Sequence, residues 1–70
     1  MKIDYDKIAD AMYIHFHKGK VFKTVEMKDS VIVDLDRKGK VIGIEVLDVS
    51  SQVSEKQIKS SIKTGIPVFV

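Results

Sequence analysis

The sequence predicts a small α+β protein: an antiparallel β-meander of four to five strands with one C-terminal helix packed on one face. Three observations lead there. Apolar and polar residues alternate over Ala11–His17, Val21–Met27, Val31–Asp36 and Lys40–Leu47, and period-two alternation marks half-buried strands. Turn residues separate these runs at short intervals, and short connections favour antiparallel neighbours. After Ser54 the apolar spacing changes to that of a helix.

Ile3 and Tyr5 suit a short first strand, and Asp6–Asp10 reads as a connector whose aspartates cap local N–H groups. The second strand puts Met12, Ile14 and Phe16 on one face and Tyr13, His15 and His17 on the other. Lys18-Gly19-Lys20 reads as a tight turn with glycine free to take a positive φ. In the third strand Val21, Val25 and Met27 alternate with Phe22, Thr24 and Glu26, and Lys28-Asp29-Ser30 turns the chain again. The fourth strand sets Val31, Val33 and Leu35 against Ile32, Asp34 and Asp36. After the Arg37–Lys40 turn, the fifth sets Ile42, Ile44 and Val46 against Val41, Gly43, Glu45 and Leu47.

The helix spans 54–64. Ser54 and Gln57 fit a capping box, with Val53 and Ile58 at the positions of a hydrophobic staple. Ile58 and Ile62 share a face four residues apart. Gly65 suits the position after the last turn, and Pro67 forbids continuation. Residues 1–70 therefore form a single domain: the meander over 1–50, the helix, and an apolar tail over 66–70.

Seventy residues support only a small core; a chain of this size buries about 60% of its unfolded surface. Without cysteine there is no disulfide and no thiolate zinc site to help. Self-association or a partner chain is the expected support, a homodimer being the simplest. The start has no apolar signal segment, and no run reaches the ~20 apolar residues that span a bilayer. A cytoplasmic location without membrane contact is expected. The net charge of +2 and pI near 8.9 are a modest basic excess.

Four groups of residues are candidate sites. His15 and His17 lie on one strand face, about 7 Å apart by the strand rise; with Glu26 or another carboxylate they would make a nitrogen–oxygen metal site. The competing reading is two solvated histidines. Asp6, Asp10, Asp34, Asp36 and Asp48 fall mostly at strand ends and turns, where aspartate caps backbone. Lys18, Lys20, Arg37, Lys38 and Lys40 gather at one end of a meander, a rim that could meet phosphates. Lysine-rich turns also keep strand edges soluble; that reading is preferred, and nucleic acid is not the expected partner. Finally, Tyr13, Ile32, Leu47 and Phe69 are candidate contacts for a mixed apolar interface. No nucleophile–base order, metalloprotease helix or phosphate loop is present, so neither enzymatic activity nor a cofactor is expected.

Three segments carry a family resemblance. Tyr5-Asp6 with Ala9-Asp10-Ala11-Met12-Tyr13-Ile14 resembles a Y-D-x-x-A-D-A-x-Y-I pattern. Val31-Ile32-Val33-Asp34-Leu35-Asp36 resembles V-x-V-D-x-D, and Gly43–Ser50 resembles G-I-E-I-L-D-A-S. Together, over about residues 1–50, they resemble the small prokaryotic family called domain of unknown function 2283. Lys7 stands where that family often has proline. Some members are encoded beside small proteins that look like ribonuclease toxins, so the resemblance implies an antitoxin-like partner role. The expected function is a self-associating protein–protein interaction module; the alternatives are a metal- or small-ligand-binding module and a weak nucleic-acid binder at the lysine-rich sheet end.

Overall fold

The computed structural model of the chain describes residues 2–65. The apolar tail 66–70, with Phe69, lies outside the described residues. Five strands form one antiparallel sheet: β1 (Lys2–Asp6), β2 (Ala11–His15), β3 (Lys23–Lys28), β4 (Val31–Leu35) and β5 (Val41–Val46). A 3₁₀ turn at Val49–Ser51 leads to helix α1 (Glu55–Thr64). The class is α+β, as the periodicities predict.

The strand order is β1-β2-β5-β4-β3, which departs from the sequential order of a meander. Only β3-β4-β5 run as one, and β2 pairs with β5 in place of β3. Burial explains the difference. Met12 and Ile14 on β2 and Ile42 and Val46 on β5 are buried, so these two strands take interior positions. β3 carries Lys23, Thr24, Glu26 and Lys28, is exposed except for half-buried Val25, and takes an edge. A sequential order would place this polar strand at the centre.

Lys18-Gly19-Lys20 is consequently not a hairpin turn. Residues 16–22 form a connection that passes the ends of β5 and β4 to reach β3. Among the described residues the positive-φ glycines are Gly39 and Gly65, so Gly19 does not use that freedom. β2 ends at His15 because the chain turns over β5. Phe16 N–H and His17 N–H both donate to the Ile42 carbonyl, at 2.8 and 3.3 Å. Ile42 is the extra residue of a bulge, with Asp34 opposite Gly43 and Leu35 opposite Val41. Phe16, expected on the core face, is 46% exposed.

The register sorts the faces. Ile3 and Tyr5 lie opposite Ile14 and Met12, which lie opposite Ile44 and Val46, which lie opposite Val33 and Val31. This is the helix-bearing face, where Ile3, Met12, Ile14, Val46, Val49 and Ile58 form the core with Tyr5, Ile44 and Val53 packed against it. The helix lies over β1. Its start is the expected capping box: Gln57 N–H donates to Ser54 Oγ at 3.2 Å, and Ser54 N–H to Gln57 Oε1 at 2.8 Å. Its end is the expected glycine, Gly65 at φ 72°, donating to the Ser61 carbonyl. The buried stripe, however, is Ile58 and Ser61, while Ile62 is 45% exposed. Ser61, three residues beyond Ile58, has a hydroxyl satisfied by the Gln57 carbonyl, and its small volume lets the helix approach the sheet closely.

A polar clamp joins the first hairpin to the 3₁₀ turn. Asp10, left-handed at φ 53°, accepts from Tyr5 Oη at 2.6 Å, from Ser50 Oγ at 2.7 Å and from Ser50 N–H at 3.1 Å. Its carbonyl accepts from Val49 N–H, which places the Val49 side chain fully out of solvent. The bonds from Ser50 and then Tyr5 hold the Asp10 carboxyl below its ordinary value, and the same hydrogen bond is the main cause that raises the Tyr5 phenol.

Two outcomes follow from these contacts. Ser54→Ala removes one half of the capping box and is expected to lower stability by about 1 kcal/mol, read as an earlier urea midpoint at unchanged slope. Asp10 has a depressed folded-state value, so its bonds stabilise fully above the unfolded carboxylate value of about 3.9 and are lost as pH falls through the lower folded one. Thermal melts from neutral to strongly acid pH should therefore fall less steeply for Asp10→Asn than for the parent chain. The variant should also start from a lower Tm at neutral pH.

Candidate functional site

On the face away from the helix, the register aligns Lys2, His15, Gly43, Asp34 and Thr24 in one row across all five strands. Side-chain bonds run along it. Asp4 Oδ2 lies 2.8 Å from His15 Nε2, and the His15 and Tyr13 rings stand 4.6 Å apart. Tyr13 Oη donates to Asp34 Oδ2 at 2.6 Å, and Thr24 Oγ1 donates to Asp34 Oδ1 at 2.8 Å. Tyr13 reaches β4 by laying its ring across β5 at Gly43. A Cβ there would collide with the Tyr13 ring and hydroxyl. Gly43 is thus required for space and not for a positive φ. Burial, with the hydrogen bond and charge of Asp34, pushes the Tyr13 phenol up to about 12, so it donates to Asp34 at any physiological pH.

The metal reading is not supported by this placement. His15 engages Asp4, whereas His17 turns to Asp36 at 3.7 Å. Glu26 lies on β3, opposite Ile32, three strand spacings from β2, or about 14 Å. Among the described residues no group of three or more His, Asp or Glu side chains is placed to hold a metal. The two histidines meet different carboxylates, His17 lying beyond the end of β2.

Of the interface candidates, Tyr13 and Ile32 do share a face, in one row with Glu45 of β5 between them. Tyr13 is committed to Asp34. Ile32 is half-buried on the same face, flanked by Glu45 and Glu26, and Leu47 is half-buried beyond the end of β5, its N–H bonded to the Ser30 carbonyl. Carboxylates dominate this face: Asp4, Asp6, Asp34, Glu26 and Glu45 share it by register.

The basic residues do come together. The 16–22 connection and the 36–40 turn lie at one end of the sheet and touch twice. His17 meets Asp36, and the Arg37 guanidinium lies 4.7 Å from the centre of the Phe22 ring. Asp36 is occupied by its own turn, accepting from Lys38 N–H and Lys40 N–H at 2.9 Å; these bonds, the Lys40 one first, hold its carboxyl low. Phe16 and Phe22 are 46% and 59% exposed there. Beside Phe16 lies a recess of about 810 Å³ bounded by His15, His17, Val21 and Ile42. A second hollow of about 580 Å³ runs between α1 and β1, beside Tyr5, Asp10, Lys59 and Ile62.

Sequence reasoning missed the Tyr5–Asp10–Ser50 clamp, the Gly43 crossing and the exposed phenylalanines. The one readable signal was Gly43, an isolated glycine inside an alternating strand, which marks a close approach. Gly43→Ala should displace the Tyr13 ring from Asp34 and destabilise the chain by on the order of 1–3 kcal/mol. In a double-mutant cycle, Tyr13→Leu should recover part of that loss, whereas additive losses would deny the contact.

With this geometry in place, comparison with known proteins is informative. An uncharacterised protein of Methanocaldococcus jannaschii is 38% identical over 50 residues, covering 71% of this chain and 42% of that protein. The chain thus spans less than half the length of the curated relative it matches. No solved structure matches it. The description "Protein of unknown function (DUF2283)" matches residues 2–50, which take in the whole sheet and the Asp10–Ser50 clamp and stop short of the helix. On that match the chain belongs to the DUF2283 family.

Proposed function

We propose that the chain is a protein–protein interaction module that self-associates through the part of its helix-bearing face that the helix leaves open, a two-fold dimer being the simplest assembly. One observation carries the reading: among the described residues, β3 and β4 contribute none to the buried core. Val25, Val31 and Val33 share the face of Ile44 and Val46 by register, yet α1 lies over β1 at the other side of the sheet. All five β4 residues are only half-buried, and Met27 on the neighbouring β3 is 64% exposed. A second copy laid on this half would complete the layer that the helix begins.

The edge of β3 is a poorer route. Lys23 and Lys28 flank it and a bulge at Met27 breaks its register, devices that oppose strand addition. The opposite face is poorer too, since its carboxylates would meet their own copies across a two-fold axis. A small partner protein, as the antitoxin-like reading expects, would use the same valines in place of the second copy.

Light scattering tests the reading. The parent chain should exceed the 7.9 kDa of one copy, and Val25→Lys or Val33→Lys should reduce it to a monomer with an unchanged far-UV spectrum. Ile32→Lys, on the opposite face, should leave the mass unchanged. A parent chain that is monomeric at high micromolar concentration, or a dimer broken by Ile32→Lys alone, would overturn the proposal.

A further inference from the structure

We infer that the sheet end formed by residues 16–23 and 36–40 binds single-stranded nucleic acid, with Phe16 and Phe22 stacking on bases and the surrounding cations meeting phosphates. The charge is concentrated there. These two segments hold Lys18, Lys20, Lys23, Arg37, Lys38 and Lys40 against the single anion Asp36, a net +5, while the rest of the chain carries six cations and nine anions, a net −3. All six cations are exposed, and among the described residues none of them forms an ion pair. The one anion is held by backbone N–H groups and His17 and is already counted in that net charge.

Lysines alone would be read as a solubilising fringe. The aromatic rings distinguish this end. Phe16 and Phe22 lie on the connection that bears Lys18 and Lys20, and both keep about half or more of their surface in solvent. The Arg37 guanidinium lies over the Phe22 ring, 4.7 Å from its centre, backing one face of the ring with a cation. The recess beside Phe16, lined also by Lys2, Lys18 and the Asp4 carboxylate, offers room for an unstacked base. Aromatic platforms within a positive groove are the working parts of single-strand binding sites. A duplex, whose bases already stack on each other, would leave the rings unused.

The experiment is fluorescence anisotropy of the whole chain with labelled oligo(dT) and oligo(U) of about twelve nucleotides, within the usual footprint of such sites. A duplex of equal length and the polyanion heparin serve as comparisons. The single strands should bind at low salt and weaken with a log–log slope near −3, for about four phosphates neutralised. Preference for oligo(U) would assign the site to RNA, and preference for oligo(dT) to DNA. Phe16→Ala and Phe22→Ala should each weaken binding by about fivefold or more. Phe16→Leu and Phe22→Leu, which keep apolar bulk at each position, should also bind more weakly than the parent and so separate stacking from a folding defect. Lys18→Gln with Lys20→Gln should flatten the slope by roughly 1.4. No binding at low salt would overturn the inference. So would duplex or heparin binding of equal strength that the phenylalanine variants leave unchanged.

Discussion

The pairing of β2 with β5 is the contact on which the rest of the molecule depends. It sets Met12 opposite Val46 and Ile14 opposite Ile44, uniting a hairpin at the start of the chain with three strands that close locally among themselves. Closing that long loop is unfavourable in entropy, but the penalty grows only slowly with loop length. It is offset by the burial of Met12, Ile14 and Val46, all in the core. The Asp10 bonds to Ser50 and Val49 continue the same junction past the strand ends. Ile58 then finds a surface already built from Ile3, Met12 and Val49. Without that surface a ten-residue helix would be too short to persist in water.

The junction also governs the other face. Because β5 lies between β2 and β4, Tyr13 must cross a whole strand to reach Asp34, and only a residue without a side chain can be crossed. The family motifs acquire a physical meaning in this light. Tyr5, Asp10 and Ser50 form one clamp. Tyr13, Gly43 and Asp34 form one crossing. Asp6 and Asp36 each cap a turn, accepting from Ile8 and Ala9 or from Lys38 and Lys40. Residues drawn from three separate motifs are therefore tied together by the sheet they hold.

Much of this was legible in the sequence, and the losses have definite causes. The strand periods, the Ser54–Gln57 box and the Gly65 cap depend on residues within a few positions of each other, and local sequence reports local bonds. The strand order does not: it follows from which strands most need burial, a comparison across the chain that alternation alone does not make. Assigning residues 18–20 to a hairpin placed Phe16 and Phe22 inside strands and hid them as aromatic surface. The different partners of His15 and His17 were hidden for the same reason, since a spacing of two residues marks one face only while the strand continues, and β2 ends at His15. The Asp10 clamp spans forty positions to Ser50, beyond any local signal.

One topological choice produces both surfaces for which a function is proposed. Placing β3 at the far edge leaves Val25 and Val33 beyond the reach of a helix seated over β1. The same placement forces residues 16–22 to travel across the ends of β5 and β4, carrying Phe16, Lys18, Lys20 and Phe22 against the Arg37 turn. In a sequential meander β3 would pair with β2, the lysines would cap a hairpin, and the phenylalanines would alternate into the sheet. The open valine face and the aromatic, basic end are thus two consequences of burying β2 and β5 in the interior. They occupy a face and an end of the sheet respectively. Copies joined through their valines would keep the basic ends exposed, and a dimer would present two of them. Linked sites of moderate individual strength gain avidity on a single strand long enough to reach both.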